Sequence, residues 1–311
     1  MKTKLLIKIK ENNYTKNKKK EILNKYFTEL TLHHVEEDFR KLRQSYKKLL
    51  KSKKNSRVGN KIVDYFTRVE RKDTKGNKGI SFFDYEYNKD LFLKQNKYLQ
   101  DFIKKNETKC GFNNSFKGAF DLYFGSISIF RPLIAMEIYL KFNPKSILDF
   151  TAGWGGRLIG AVVLNIPKYT GIELNKDLKA PYKKMINFLH NKSNTKIEMI
   201  FKDALQVDYS KLDYDLVLTS PPYYNTEIYK GTKKKLKIEW NEEFYKPLFK
   251  KTYKHLKING WYCLNIPVDL YEKVALPLLG KPSKELPFQK IKRGKLENYK
   301  EMIYCWQKKK V

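Results

Sequence analysis

The chain has 311 residues, of which 41% are hydrophobic and 14% aromatic, so it can bury a full core and is not a disordered chain. Its 65 Lys and Arg against 33 Asp and Glu give a formal net charge of +32, which favours nucleic acid as a partner over an acidic membrane surface. Because 57 of those cations are lysines, AT-rich coding also accounts for part of the excess, and the charge alone does not decide the partner.

The cysteines and the first residues bear on the cellular compartment. Cys110, Cys263 and Cys305 lack CxxC spacing, and with four histidines in the chain no zinc site is visible, so no metal is expected. Lysines interrupt the apolar run of the N-terminus, and no apolar run approaches the roughly 18 residues that span a membrane. We therefore expect an intracellular protein with no signal peptide, no transmembrane segment and no membrane partner.

Residues 1–115 form a basic segment with helical periodicity. In FRKLRQSYKKLLKSKKNSR (39–57), apolar residues recur at helical spacing among lysines and arginines, without one acidic residue. We expect residues 1–115 to be mainly helical, and they are the candidate region for recognising a nucleic-acid target.

From about residue 120 the pattern changes to alternating strands and helices. Strands are predicted, in order, at 145–150, 169–174, 197–202, 213–219, 260–266 and 301–308. One helix is predicted over 155–165, and a second follows the second strand. A third is predicted over 241–256, where Pro247 is a candidate kink. Such alternation implies a parallel, doubly wound α/β sheet whose ligands lie at the carboxyl ends of the strands.

Three of these strands end in residues suited to a nucleoside-containing ligand. The first is followed by DFTAGWGGR (149–157), whose glycines let backbone N–H groups approach a ligand, although an ordinary tight turn has the same composition. Glu173, after the second strand, can accept hydrogen bonds from both ribose hydroxyls, and Asp203, after the third, from an adenine amino group. Either acid alone could cap a helix instead, but three such turns in series favour a ligand site.

The fourth strand ends in Thr-Ser-Pro-Pro-Tyr, residues 219–223. Two prolines fix the local backbone because each locks φ and removes a donor. The Ser220 hydroxyl and the Pro221 carbonyl can then accept the two hydrogens of an exocyclic amino group, while the ring of Tyr223 stacks on the base that carries it.

Residues 219–223 resemble the catalytic motif of the S-adenosylmethionine-dependent amino-methyltransferases, which methylate exocyclic nitrogens of bases. The turn at 149–157 resembles their cofactor loop, and FRPLIAMEIYL (130–140) resembles the helix that precedes it. The likeness covers about 120–311 and implies a Rossmann-like class I methyltransferase fold, which we assign to a catalytic domain at 116–311. Trp154, Gly156 and Arg157 depart from the commoner form of the loop.

The resemblance implies a site for each role. The catalytic residues would be Ser220, Pro221, Pro222 and Tyr223. The cofactor residues would be Phe130, Pro132, Asp149, Thr151, Ala152, Gly153, Gly155, Glu173 and Asp203. They would hold S-adenosylmethionine, with S-adenosylhomocysteine as the product and no metal.

Accepting both N–H hydrogens of the amino group favours a pyramidal nitrogen whose lone pair can attack the methyl group, without a covalent intermediate. Methylation of cytosine C5 would need a nucleophilic cysteine. Cys263 and Cys305 lie inside apolar strands, where core packing is the better interpretation, so we reject that chemistry. A base in a duplex must be flipped out to reach such a site.

The residues after the motif are candidates for nucleic-acid contacts, although each could equally be an ordinary loop residue. The predicted contacts are Tyr224, Asn225, Lys230, Lys233, Lys234 and Lys235.

Serine at the first motif position is typical of enzymes acting on cytosine N4, whereas Asp or Asn is more typical of adenine N6. We therefore predict a DNA methyltransferase for cytosine N4, with adenine N6 as the alternative. An RNA base methyltransferase and a non-catalytic nucleic-acid-binding relative are further alternatives. A protein glutamine methyltransferase usually carries Asn-Pro-Pro-Tyr and has little use for a charge of +32. The recognition sequence and the oligomeric state are left open.

Overall fold

The protein, described by a computed structural model over residues 9–52, 56–125, 127–225, 227–228, 235–287 and 301–310, divides into two compact units. The first unit comprises Met1–Leu30, Arg68–Ser128 and Asn225–Lys233, and the second comprises Thr31–Thr67, Ile129–Tyr224 and Lys234–Val311. The units interleave along the sequence. The functional roles of residues 1–115 and 116–311 remain predictions.

The strands follow the predicted order with short additions. They are β1 (Lys75–Gly76), β2 (Ser146–Asp149), β3 (Lys168–Ile172), β4 (Lys196–Ile200), β5 (Leu216–Thr219), β6 (Glu227–Ile228), β7 (Trp261–Pro267), β8 (Lys284–Pro287) and β9 (Glu301–Gln307). The sequence did not predict β1, β6 or β8, each of which has four residues or fewer.

The helices of the N-terminal region confirm that it is mainly helical. They are α1 (Lys16–Tyr26), α2 (Leu32–Ser52), α3 (Asn60–Asp73), α4 (Phe82–Tyr87), α5 (Lys89–Gln95), α6 (Lys97–Cys110) and α7 (Phe112–Phe120). The later helices are α8 (Pro132–Phe142), α9 (Gly156–Val163), α10 (Lys179–His190), α11 (Lys237–Trp240), α12 (Lys246–Lys254), α13 (Val268–Leu270) and α14 (Leu276–Leu279). Across the described ranges, no helix combines the length and the apolar character needed to cross a membrane.

The first unit is helical and has an aromatic core. Its buried rings include Tyr26, Phe82, Tyr85, Phe92, Phe116, Phe120 and Phe124. Tyr85 and Phe116 stack with ring centroids 4.2 Å apart. The short strands β1 and β6 pair antiparallel in this unit.

The second unit contains a seven-stranded sheet with the order β4-β3-β2-β5-β7-β9-β8. The strands from β4 to β7 are parallel, and β9 lies antiparallel between β7 and β8. This arrangement confirms the predicted Rossmann-like, mostly parallel α/β fold. Chain order reverses between β2 and β5, so the crevice at which ligands bind in such sheets opens at the carboxyl ends of these two strands.

The long helix predicted over 241–256 changes character before Pro247. Asn241–Tyr245 form a π-helical segment, and α12 begins at Lys246 with the proline in its first turn. A proline removes one helical hydrogen bond and its ring clashes with the preceding turn, and a wider turn at that point relieves the clash.

Candidate active site

The carboxylate of Asp149, at the end of β2, is fully buried and held by three donors. It accepts hydrogen bonds from Arg157 Nε at 2.7 Å, the Tyr169 hydroxyl at 2.6 Å and Thr219 Oγ1 at 3.0 Å. The sequence predicted that Asp149 holds the cofactor. Its carboxylate joins side chains of β3 and β5 to the glycine-containing loop, and its contact with a cofactor stays a prediction.

Arg157 fastens that loop from the other side. Its guanidinium donates to the Thr151 carbonyl and lies over the ring of Phe130, 4.8 Å from the centroid. Burial acts to lower the pKa of Arg157, but the charge and hydrogen bond of Asp149 outweigh that effect and raise the pKa above its ordinary value. The departure of Arg157 from the commoner loop sequence is therefore explained by a buried ion pair.

Two glycines of the loop have conformations or contacts that other residues rarely tolerate. Gly153 has φ +59°, and a Cβ there would lie 3.8 Å from the Thr151 carbonyl oxygen, an ordinary van der Waals contact. At Gly156 a Cβ would lie 1.9 Å from the Phe130 carbonyl oxygen. The loop thus packs tightly against Phe130, two residues before α8, at Gly156 but not at Gly153.

Glu173 lies directly after β3 and faces the same loop. Its Oε2 accepts from the Gly153 N–H and its Oε1 from the Asn175 N–H, both at 2.8 Å. Burial raises the pKa of Glu173 to about 7, against the opposing effect of the two hydrogen bonds. Each carboxylate oxygen keeps a second lone pair, so the group can still accept two hydroxyl donors.

The other predicted cofactor residues have mainly structural contacts. Asp203 caps a short helical turn by accepting from Leu205 N at 2.9 Å, which was the alternative interpretation of that acid. Ala152 is buried and donates its N–H to the Ile172 carbonyl, and Pro132 is buried in the first turn of α8.

The glycine-containing loop at 149–157 and the motif at 219–223 meet at neighbouring strand ends. The hydroxyls of Thr151 and Thr219 lie 2.6 Å apart, and β2 and β5 are paired in parallel. The sequence placed Thr219 in the motif without giving it a role. Its contacts with Thr151 and Asp149 connect the two predicted halves of the site.

Ser220 and Tyr223 form a hydrogen-bonded cluster with Asn265 of β7. Asn265 Nδ2 lies 3.0 Å from Ser220 Oγ and 2.7 Å from the Tyr223 hydroxyl. The Tyr223 hydroxyl donates to the Asn265 carbonyl at 3.0 Å and lies 3.1 Å from Ser220 Oγ. Asn265 was not predicted as a site residue, although an asparagine within an apolar strand was a signal for it.

The Pro-Pro turn is held by Tyr245, a fully buried residue. The Tyr245 hydroxyl donates to the Pro222 carbonyl at 2.6 Å and accepts from the Tyr224 N–H at 2.9 Å. Across the described chain, no donor is hydrogen-bonded to the Pro221 carbonyl. Pro221 is itself buried, and the next carbonyl, that of Pro222, is used internally.

Tyr224 itself adopts a left-handed conformation, with φ +51°, and is buried. Its hydroxyl donates to Asn241 Oδ1 at 3.2 Å. The prediction that Tyr224 contacts nucleic acid does not suit this position, because the ring supports the turn from inside the core. We therefore do not include Tyr224 among the proposed nucleic-acid contacts.

Removing the Tyr245 hydroxyl tests how firmly the turn is held. We expect Tyr245→Phe to lower the free energy of unfolding by about 1–3 kcal/mol, because two buried backbone groups lose their partner. Urea unfolding measures this change. Tyr98→Phe, on a side chain that is 70% exposed, serves as the control and should leave the unfolding free energy unchanged. A Tyr245→Phe protein as stable as the wild type would show that the hydroxyl does not hold the turn.

The remaining predicted nucleic-acid contacts are only partly described. Lys235 Nζ lies 2.5 Å from Glu243 Oε2 in an ion pair. Asn225 is half-buried, and Lys230, Lys233 and Lys234 lie outside the described residues. Among the residues that the structure does describe, no group of three or more His, Cys, Asp or Glu side chains could hold a metal ion.

Comparisons with known proteins give similarity of fold at low identity. No family model and no curated protein sequence matches the chain. TrmN from Thermus thermophilus is 15% identical, with a TM-score of 0.40 over 57% of this chain and 48% of that one. An rRNA methylase from Streptococcus thermophilus is 12% identical, with a TM-score of 0.38 over 59% and 100% of the two chains.

A third similar structure is Trm5 from Methanocaldococcus jannaschii in complex with adenosine, at 17% identity and a TM-score of 0.38 over 57% and 48%. This chain therefore spans about half the length of TrmN and of Trm5. Similarity at these scores carries no conclusion about what this chain does.

Proposed function

We propose that the chain is an S-adenosylmethionine-dependent methyltransferase that acts on an exocyclic amino nitrogen of a nucleic-acid base. The observation that carries the proposal is the meeting of two strand ends. The glycine-containing loop lies one hydrogen bond, Thr151 to Thr219, from the turn that carries the two proposed acceptors, Ser220 Oγ and the Pro221 carbonyl.

The residues of the loop suit the proposed cofactor. Glu173 keeps one lone pair on each carboxylate oxygen, which matches the two adjacent hydroxyls of a ribose. Gly153 has no side chain between the loop backbone and the proposed ligand, and the ion pair of Arg157 with Asp149 holds the loop. When bound, S-adenosylmethionine supplies an activated methyl group on a sulfonium.

The residues of the turn prepare the attacking nitrogen. Ser220 Oγ and the Pro221 carbonyl each accept one hydrogen of the amino group, which favours a pyramidal nitrogen with a directed lone pair. The two acceptors also stabilise the positive charge that develops on that nitrogen during transfer. Their fixed spacing, set by the Pro-Pro backbone and by Tyr245, supplies the orientation.

The half-buried ring of Tyr223 gives the base a surface on which to stack. The hydrogen bond from the Tyr223 hydroxyl to the Asn265 carbonyl fixes the position of that ring. A base in a duplex can reach this surface only when it is flipped out of the helix, whereas a single strand needs no flipping. The stacking offsets part of the energy lost when the base leaves its neighbours.

A basic helix in the same unit supports a nucleic-acid substrate. Helix α2 packs against α8 and α9, which flank the loop in sequence. Its exposed cations are Arg40, Lys41, Arg43, Lys47, Lys48 and Lys51, and no acidic residue lies between 39 and 57. Such a surface suits contacts with phosphates, which give affinity without sequence readout.

Serine at position 220 favours cytosine N4 of DNA as the target, with adenine N6 as the alternative served by the same two acceptors. RNA bases with an amino group are a further alternative, because the acceptors do not read the sugar.

Methyl transfer from labelled S-adenosylmethionine to duplex DNA, single-stranded DNA and RNA tests the proposal. The products are digested to nucleosides and separated. N4-methylcytosine in DNA is expected; N6-methyladenine, or label confined to RNA, would keep the chemistry and change the substrate. Cofactor binding without transfer to any nucleic acid would contradict the proposal and favour a non-catalytic relative.

The affinity for the cofactor is expected to depend on pH through Glu173. Because its pKa is about 7 without ligand, the carboxyl is protonated at lower pH, and ribose hydroxyls donate best to the ionised form. Affinity should therefore rise with pH and level off above 7, and fall by up to about tenfold per unit below it. Calorimetric titration at several pH values measures this. Glu173→Gln should bind more weakly than the wild type above pH 7, where Glu173 is ionised, and should lack the slope; a pH-independent wild-type affinity would contradict the role of Glu173.

A further inference from the structure

The turn between α2 and α3 brings two arginines of the second unit together beside the glycine-containing loop. Arg57 lies in this turn, and Arg131 is the residue directly before α8. We propose that Arg57 and Arg131 together bind a phosphate group of the nucleic-acid backbone, close to the target nucleotide. The inference rests on the proposed function and extends it, because it states where the backbone of the substrate lies.

The turn is fixed by a buried carboxylate that the proposed reaction does not use. Oδ2 of Asp38, on α2, accepts from the Gly59 N–H at 2.9 Å and from the Lys61 N–H at 3.0 Å. Gly59 has φ +94°, and a Cβ there would lie 2.8 Å from Leu42 of α2 and 3.0 Å from Pro132 of α8. The turn therefore packs directly on the start of α8.

Arg57 lies close enough to Arg131 to act on its charge. Arg131 is half-buried, and burial, followed by the positive charge of Arg57, lowers the pKa of Arg131 below its ordinary value. Two like charges in a partly buried place repel each other, and an anion bound by both offsets that repulsion. The pair therefore favours a bound anion.

Arginine is uncommon in this chain, in which 57 of the 65 cations are lysines. Other arginines are used where a flat group with several donors is needed: Arg157 holds the glycine-containing loop, and Arg71 donates to a buried carbonyl. A guanidinium donates two parallel hydrogen bonds to a phosphate, which a lysine cannot do, and its five N–H donors allow this beside a protein partner. Two arginines in one place therefore favour phosphate as the anion.

The position of the pair suits a phosphate near the candidate active site. Phe130, directly before Arg131, packs against Gly156 of the loop. The turn that carries Arg57 follows the basic half of α2, whose exposed cations include Lys47, Lys48 and Lys51. A backbone held by the pair therefore has the loop on one side and further cations on the other.

Binding of nucleic acid at several salt concentrations tests the proposal, whether or not methyl transfer is detected. The wild type and the double variant Arg57→Gln with Arg131→Gln are titrated with a fluorescent mixed-sequence DNA duplex and with RNA of the same sequence. Loss of one phosphate contact should weaken binding about 10-fold and reduce the slope of log affinity against log salt by about 1. The affinity for S-adenosylmethionine should stay the same.

The double variant Lys250→Gln with Lys254→Gln is the matched control, because it removes the same charge from exposed residues of α12. Phe249 of α12 contacts Tyr262 of β7, whereas Trp261, the preceding residue of that strand, contacts α8. Because neighbouring residues of a strand point to opposite faces, α12 and α8 cover opposite faces of the sheet. The control should keep the wild-type slope.

Two further variants sharpen the test. Arg57→Lys with Arg131→Lys keeps both charges but removes the paired donors, so it should bind more weakly at an unchanged slope. Arg57→Gln alone changes an exposed residue and should show a smaller loss of the same kind, which keeps the test valid if the first double variant does not fold.

Equal affinity and slope in the Arg→Gln variants and in the control would overturn the phosphate site. Weaker binding of S-adenosylmethionine with unchanged binding of nucleic acid would also overturn it, because the pair would then serve the cofactor. A wild-type chain that binds nucleic acid through the pair but transfers no methyl group would contradict the proposed function and leave the phosphate site in place.

Discussion

Replacing Ser220 with alanine is expected to slow methyl transfer about 100- to 1,000-fold, the range found when one group that stabilises developing charge is removed. The substituted chain would lose one of the two acceptors proposed to hold the amino group pyramidal, and the nitrogen lone pair would no longer be directed. Because the hydrogen bonds of the Ser220 side chain are to Tyr223 and Asn265, whereas Glu173 is bonded to Gly153, the affinity for S-adenosylmethionine should stay the same.

Single-turnover kinetics and cofactor titration separate these two effects. Ser210→Ala provides the control, because Ser210 Oγ is exposed and donates to the exposed Asp208 carboxylate. A Ser220→Ala protein that transfers methyl groups at the wild-type rate would remove Ser220 from the reaction. Weaker cofactor binding in the same variant would instead point to a damaged fold.

Replacing Asp149 with asparagine is expected to destabilise the protein by about 3–5 kcal/mol, because it leaves the guanidinium of Arg157 buried without its counter-charge. Both side chains of this ion pair are at least 96% buried, with exposures of 0% and 4%. The loop should also loosen, so cofactor affinity should fall together with stability. Denaturant unfolding and cofactor titration measure the two quantities.

A double variant, Asp149→Asn with Arg157→Met, removes both charges and should recover part of the lost stability. Asp213→Asn is the matched control at the surface. Its partner Lys257 lies 2.6 Å away, but both side chains are at least half exposed, so the change should be within about 1 kcal/mol. Equal effects at Asp149 and Asp213 would show that burial does not strengthen the ion pair.

The sequence predicts the strands of the parallel sheet because each is a short apolar run between turn residues. It does not predict β8, whose Lys-Glu-Leu-Pro sequence is mostly exposed and pairs only with β9. An edge strand of this kind lacks the burial pattern from which strands are recognised. The break before Pro247 was predictable because proline acts locally, whereas the π-helical form of the preceding turn was not.

Some residues of the candidate site could likewise be predicted from the sequence and others could not. The sequence suggests roles for Ser220, Gly153 and Glu173, because these roles depend on a few adjacent residues. Asn265 is 45 residues from Ser220 in sequence, and Tyr245 is 23 from Pro222, so only the fold brings them to the turn.

Asn265 reaches Ser220 because β5 and β7 pair in a register that places Thr219 opposite Leu264. The resemblance gave Asp149 to the cofactor, but it could not anticipate that Arg157 would engage that carboxylate.

The most direct test of the account locates the transferred methyl group on the base. The methyl of S-adenosylmethionine carries carbon-13, and the amino nitrogens of cytosine, adenine and guanine in the DNA or RNA substrate carry nitrogen-15. We expect a one-bond carbon–nitrogen coupling in the methylated nucleoside, seen by NMR. A methylated nucleoside without that coupling would place the methyl group on a ring atom and contradict the role of Ser220 and Pro221 as amino-group acceptors.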